Sequence, residues 1–351
     1  MAITYKAGRR IQGTSTDFGT DGAGIAGVTG GWKELTRVTL GSTSVTMTTP
    51  TFTNKRYYKV LVHGIQSSGS VETGLGINGI ISGNPYASRL SVDGGTERTA
   101  INANYIADGW FSDPNEYISE INIANLAGKE KLIIGHTGGA NTAGAGTAPK
   151  RMEWVGKFVP SPDVDVSSIL ITGSGTFAVG SEIVVLGWDE DDTHTTNFWE
   201  ELASVSGDGT STTLSSGTIT AKKYLWVQAY SNATSQDSAF QFNNDTASNY
   251  STRWSDNGGA DSTSTSESRI DLTFGSPSFT NMFIINNSAN EKLCIHHQLD
   301  ASTAGATAPR RYERVSKWAN TSAQITEIDY INQSTSVNFP SGSILKVWGS
   351  N

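Results

Sequence analysis

The chain has 351 residues, a net charge of −8, 38 Gly and a single Cys, and only 17% of its residues are charged. The mild acidity argues for solubility and excludes the basic groove or stripe that nucleic acid requires, and one cysteine excludes an intrachain disulfide. Few runs of helix formers beside many Ser, Thr, Asn and Gly predict an all-β chain with turn-rich connections.

Residues 1–30 read as an extended N-terminal arm. Lys6, Arg9 and Arg10 make its start basic, and Gly19 to Gly31 is thick with small residues and shows no hydrophobic period. Those three cations on an acidic chain are the candidate anchor to a partner surface. Met1 to Lys6 carries no apolar core of signal-peptide length, and no stretch approaches the roughly 18 consecutive apolar residues of a membrane span. Folding in a cytoplasm, without membrane insertion, is therefore expected.

A first domain is expected over 31–188, a short acidic linker over 189–198 and a second domain over 199–351. In Tyr57 to His63, alternation puts Tyr58, Val60 and Val62 on one face and Tyr57, Lys59, Leu61 and His63 on the other. Leu225, Val227 and Ala229 repeat the first face, Tyr224, Trp226, Gln228 and Tyr230 the second. Further strands are predicted at 118–123, 131–135, 152–158 and 183–186. The second domain offers 240–242, 279–285, 293–297, 312–318, 325–330 and 344–348. A helical turn is expected near Asp113 to Glu116.

The two domains read as copies. Trp32-Lys33-Glu34-Leu35 returns as Trp199-Glu200-Glu201-Leu202, and Lys55-Arg56-Tyr57-Tyr58 as Lys222-Lys223-Tyr224-Leu225, both 167 residues later (199 against 32, 222 against 55). Asp93-Gly94-Gly95 matches Asn257-Gly258-Gly259, Glu130-Lys131-Leu132 matches Glu291-Lys292-Leu293, and Thr147 to Arg151 matches Thr307 to Arg311. A period this long is a domain, because each copy can bury its own core. Roughly seven or eight short strands per copy predict two tandem jelly-roll-like β-sandwich domains.

No constellation carries chemistry. Asp189 to Asp192 are consecutive carboxylates that do not converge as Ca²⁺ ligands must. Adjacent His296 and His297 face opposite sides of a strand, and no histidine pair has helical spacing, so no metal or other cofactor is expected. His136 and His297 are equivalent and are expected to share a structural role. Gly144 to Arg151 lacks the Gly-Lys-Ser/Thr and the helix of a phosphate loop; its cations, Lys150 and Arg151, are expected on an exposed strand start. Gly-Ser pairs lack a nucleophile elbow, and Asp108, Asp113, Glu116 and Glu120 have no spacing above a polar loop. The reading is a non-enzyme. Among 9 Trp and 11 Tyr, the loop-like Trp110, Tyr250 and Trp254 are candidates for stacking on sugars, whereas the repeated Trp32, Trp199 and Trp318 read as core.

Tyr5 to Ser15, Phe242 to Tyr250, Asn257 to Ser264, Lys317 to Ser322 and the closing Val347-Trp348-Gly349 resemble poorly characterised proteins of tailed phages. Asn78 to Tyr86 departs from the form of Phe242 to Tyr250. The resemblance spans the arm and both copies, and it implies a virion structural, decoration or tail-associated protein. The expected function is capsid decoration on the particle surface, with the major capsid protein or other virion proteins as partners and a homo-oligomer, a trimer by guess. The alternative is a tail-fibre or receptor-binding module recognising host-surface glycans.

Overall fold

The alternation seen in the sequence sets the strands. In a computed structural model, Tyr58, Val60 and Val62 are buried in the core of the first half while Leu61, between them, is buried in the core where the two halves meet. The structure describes residues 31–351 apart from 69–71, 111–115, 163, 190–191, 193–196, 234–236, 273–276, 303–304 and 335–336. The arm with Lys6, Arg9 and Arg10, and Asp113 of the expected helical turn, lie outside the described residues; Glu116 opens a strand.

The first half holds β1 (Lys33–Thr39), β2 (Ser44–Thr48), β3 (Tyr57–Ser68), β4 (Glu72–Ile77), β5 (Tyr86–Val92), β6 (Arg98–Ala103), β7 (Ile106–Trp110), β8 (Glu116–Ala124), β9 (Lys131–Gly139), β10 (Lys150–Phe158), β11 (Ile169–Phe177) and β12 (Glu182–Trp188). The second half holds β13 (Glu200–Ser206), β14 (Thr213–Ser215), β15 (Tyr224–Ser231), β16 (Ser238–Phe242), β17 (Tyr250–Asp256), β18 (Ser262–Glu267), β19 (Ile270–Leu272), β20 (Ser278–Ile285), β21 (Lys292–Asp300), β22 (Arg310–Trp318), β23 (Ile328–Asn332) and β24 (Ile344–Ser350). Strand neighbours recur one for one: β1-β12-β3-β8-β9-β10-β5-β6 matches β13-β24-β15-β20-β21-β22-β17-β18, and β2-β11-β4-β7 matches β14-β23-β16-β19. Every pair is antiparallel.

The expectation of two tandem jelly-roll sandwiches is corrected. In the first half β3 also pairs β11, Gln66 with Phe177 and Ser68 with Thr176. One antiparallel path then runs β6-β5-β10-β9-β8-β3-β11-β4-β7. Its ends are consecutive in the chain, joined by Asn104 and Tyr105, so nine strands wrap into a nearly closed barrel. In the second half an eight-stranded and a four-stranded sheet enclose the core. The physical reason for the difference is strand length. β3 has 12 residues and β15 only 8, so the second half lacks the extension that bridges its two sheets.

Repeated polar anchors fix both halves alike. Asn78 Oδ1 accepts from Ser167 N (2.8 Å) and Ser168 N (3.1 Å), and Asn243 Oδ1 accepts from Thr326 N (2.8 Å) and Glu327 N (3.0 Å). Buried Lys131 and Lys292 each donate to carbonyls of the preceding turn, which satisfies a charge that burial would otherwise penalise. The matched Asp93-Gly94 and Asn257-Gly258 hairpin turns have positive φ at both central residues (52° and 68°, 53° and 75°), the conformation these residue types tolerate.

The two halves pack sheet against sheet. Leu61, Ile118, Val184 and Leu186 of the first meet Phe198, Tyr224, Ile285, Leu293 and Ile295 of the second in a third core. Around it run buried polar ties: Arg151 to Asp261 at 2.6 Å, Tyr224 Oη donating to Glu182 at 2.7 Å, and Lys317 Nζ donating to Ala140 O at 2.9 Å. Arg151 is therefore not on an exposed strand start. The loop places it inside the junction, against carboxylates of both halves.

Candidate functional site, a cleft between equivalent strands

His136 on β9 and His297 on β21 hold the same register position and touch, Nε2 to Nε2 at 3.1 Å. They mark where equivalent strands of the two halves meet, and a cleft of about 410 Å³ opens beside them. Its walls are built from equivalent pairs: Trp32 with Trp199, Lys59 with Trp226, Glu120 with Asn281, and Asn122 with Phe283. The positions are repeated but the chemistry has diverged. The second half supplies an aromatic wall, with Trp226 and Phe283 stacked at 13° and Trp199 centred 5.8 Å from Trp226. The first half supplies Lys59, Glu120 and Asn122.

Lys59 bonds the Glu120 carboxylate, and its ammonium lies 4.8 Å from the Phe283 ring centre and 5.8 Å from that of Trp32. Burial alone would raise the Glu120 carboxyl, but Lys59 and the Asn122 amide (2.9 Å) bring it below its ordinary value. Burial, with repulsion from His297, drives His136 down to about 3, and His297 is lowered by the same burial. Both imidazoles are thus neutral at pH 7. Trp226 Nε1–H donates to Asn281 at 2.7 Å, which requires the amide oxygen there; Gln228 donates to the same atom at 3.2 Å. Further along the junction burial, together with a hydrogen bond to Glu313, pushes the Glu153 carboxyl up to about 7, against the pull of Arg151.

A second concavity of about 920 Å³ adjoins the cleft, sharing Trp32, Asn122 and Ile134 with it. It lies on the outer face of the first half and is lined mainly by apolar side chains. Leu132, Ile134 and Val155 are 58%, 54% and 47% exposed there, whereas their equivalents Leu293, Ile295 and Val315 are 0%, 3% and 1% exposed. One copy's face is covered by its sister; the other's stays open.

Of the residues proposed to stack on sugars, Trp110 has a side chain outside the described set. Tyr250 is corrected: its ring is fully buried against Phe242 and Trp318, and its hydroxyl accepts from Phe242 N at 3.0 Å. Trp254 is half-buried on the second core, with the Arg314 guanidinium 5.2 Å from its ring centre. Tyr250 and Trp254 share β17, away from the cleft. Sequence reasoning missed the rings that line it. Trp32 and Trp199 were read as core because they recur, while Trp318, read the same way, is core. The available signal was the outward face of Tyr57 to His63 and of its repeat, which carries Lys59 and Trp226. Among the described residues no group of three or more His, Cys, Asp or Glu is placed to hold a metal ion.

No family model matches the chain, and no curated protein does. Among solved structures it is similar to Neisserial surface protein A (11% identity, TM-score 0.11, 82% of this chain and 99% of that one). It is also similar to a Pseudomonas aeruginosa FadL homologue (9% identity, TM-score 0.08, 86% and 91%). TM-scores this low do not define a common fold.

Proposed function

We propose that the chain is a structural protein of a tailed-phage virion that works by binding and carries out no reaction, most simply a capsid decoration protein. The likeness of its arm and loops to such proteins supports the setting. The single observation that carries the binding role is the open apolar face of Leu132, Ile134 and Val155, whose equivalents in the second half are buried against the first. A contiguous apolar face left in solvent is how a subunit presents a surface completed on assembly, and binding the assembled form alone stabilises that form. The partner in this reading is the major capsid protein or another virion protein.

The test is mass spectrometry and cryo-EM of purified particles, with wild type beside Val155→Asp. The reading expects an ordered layer on the shell that the charged variant fails to form while remaining folded. Purified particles without the chain would end it. A second reading, a tail-fibre or receptor-binding module for host-surface glycans, is favoured by one observation, the aromatic wall facing polar groups across the cleft.

A further inference from the structure

We propose that the cleft beside His136 and His297 is a saccharide site for an uncharged sugar, with a pyranose ring laid against Trp199, Trp226 and Phe283 and its hydroxyls met by Glu120, Asn122 and Asn281.

The argument starts from what the divergence of the two copies has placed there. A pyranose has a C–H face that packs on an aromatic ring and a rim of hydroxyls that both donate and accept. A site for it therefore needs a ring surface on one side and fixed, mixed hydrogen-bonding groups on the other. The cleft has that division. At Trp226 and Phe283 the second half carries rings where the first half carries Lys59 and Asn122. Trp348, directly opposite Trp226 on β24, stacks beside it with ring centres 4.6 Å apart at 26°, so the wall is preorganised.

The polar side is equally fixed. Glu120 is an acceptor held in place by Lys59 and by Asn122 Nδ2. Asn281 is oriented by the Trp226 indole N–H, which can only donate, so its amide oxygen is spoken for. Its Nδ2 group is left to donate, and among the described residues nothing accepts from it. An acceptor and a donor pair thus flank one ring wall.

Charge selects the class of sugar. Lys59 and Glu120 neutralise each other, and both imidazoles are neutral, so the cleft has no surplus charge for a phosphate or a uronic acid. The volume of about 410 Å³ falls within the roughly 300–1,000 Å³ of small-molecule sites. This inference gives the glycan-binding reading its site and rests on it. The virion reading is decided separately, by particle composition.

The test is saturation-transfer NMR and calorimetry on the full chain with neutral oligosaccharides of glucose, galactose, mannose and N-acetylglucosamine. At least one series is expected to receive saturation at its ring C–H protons and to bind in the roughly millimolar range or tighter. Trp226→Ala removes the wall and is expected to weaken that binding about tenfold or more. Asn281→Asp keeps an oxygen facing the Trp226 N–H, preserves packing, and removes the donors; it is expected to weaken binding about tenfold. Leu299→Ala, exposed and outside the cleft, is the control with unchanged binding. No saturation from any series overturns the proposal. So does binding that survives both cleft variants, or that falls equally in the control.

Discussion

Lys59 and Trp226 occupy the same position in the two halves, pairing Asn122 and Phe283 on the neighbouring strands, and they line opposite walls of one cleft. In one half the position holds an ion pair with Glu120, in the other an indole hydrogen bond to Asn281, the residue equivalent to Glu120. The repeat supplies two versions of one surface, and where the halves meet both versions line the same cleft, Lys59 buried and Trp226 half-buried.

These two solutions are interchangeable as pairs and not singly. Lys59→Trp alone leaves the buried Glu120 carboxylate without its cation and is expected to cost about 3–5 kcal/mol. Lys59→Trp with Glu120→Asn copies the second half, and most of that loss is expected to return. Urea melts of the single and double variants measure it; additive losses would contradict the equivalence.

Arg151 and Arg311 form another equivalent pair with opposite surroundings. Arg151 is buried between Glu153 and Asp261, whereas the Arg311 side chain is 60% exposed. Arg151→Ala leaves the buried Asp261 with only the more distant Arg253 (3.9 Å) and is expected to cost about 3 kcal/mol. Arg311→Ala is expected to stay within about 0.5 kcal/mol. Thermal or urea unfolding separates the two, and equal losses would show that the junction is not where Arg151 acts.

Stability should depend on pH through two groups with opposite signs. Glu153 moves from its ordinary 4.5 to about 7 on burial, so the folded state holds the proton more tightly. Its contribution is full below pH 4.5 and is lost as pH rises to about 7. His136 moves from 6.5 to about 3, so its contribution is full above pH 6.5 and is lost as pH falls towards 3. Glu153→Gln, which removes one partner of the Glu153–Glu313 hydrogen bond, is expected to flatten a downward slope of at most about 1 kcal/mol per pH unit between 4.5 and 7. His136→Gln is expected to flatten the acid-side loss instead. Unfolding free energies measured at half-unit steps check both, and profiles parallel to wild type would refute the assignments.

The sequence disclosed the repeat and the inward faces of the central strands because alternation of large apolar residues is a local signal, as in Tyr58, Val60 and Val62. It under-counted strands where that signal is absent. β18 reads Ser-Thr-Ser-Thr-Ser-Glu and β6 Arg-Thr-Ala-Ile-Asn-Ala, edge strands that carry little hydrophobic pattern. The β3–β11 bridge depends on strand length, and neither periodicity nor composition registers it. Recurrence of an aromatic marked packing but not which core: Trp318 lies in the core of the second half, whereas Trp32 and Trp199 pack, partly buried, against the core between the halves and also line the cleft there. The sheet-to-sheet contact is what one copy, read alone, has no means of revealing.

That contact can be trapped directly. A Cβ on Gly138 of β9 would lie 2.6 Å from Val315 Cγ1 of β22, so cysteines at both positions fall within reach of the roughly 3.5–4.5 Å Cβ separation of a disulfide. The variant carrying Gly138→Cys and Val315→Cys, mildly oxidised as the full chain, is to be examined by non-reducing electrophoresis and peptide mass spectrometry. The face-to-face arrangement predicts a linked 138–315 peptide within one chain and faster migration than either single variant. Thiols that stay free, or that link only between chains, would contradict it.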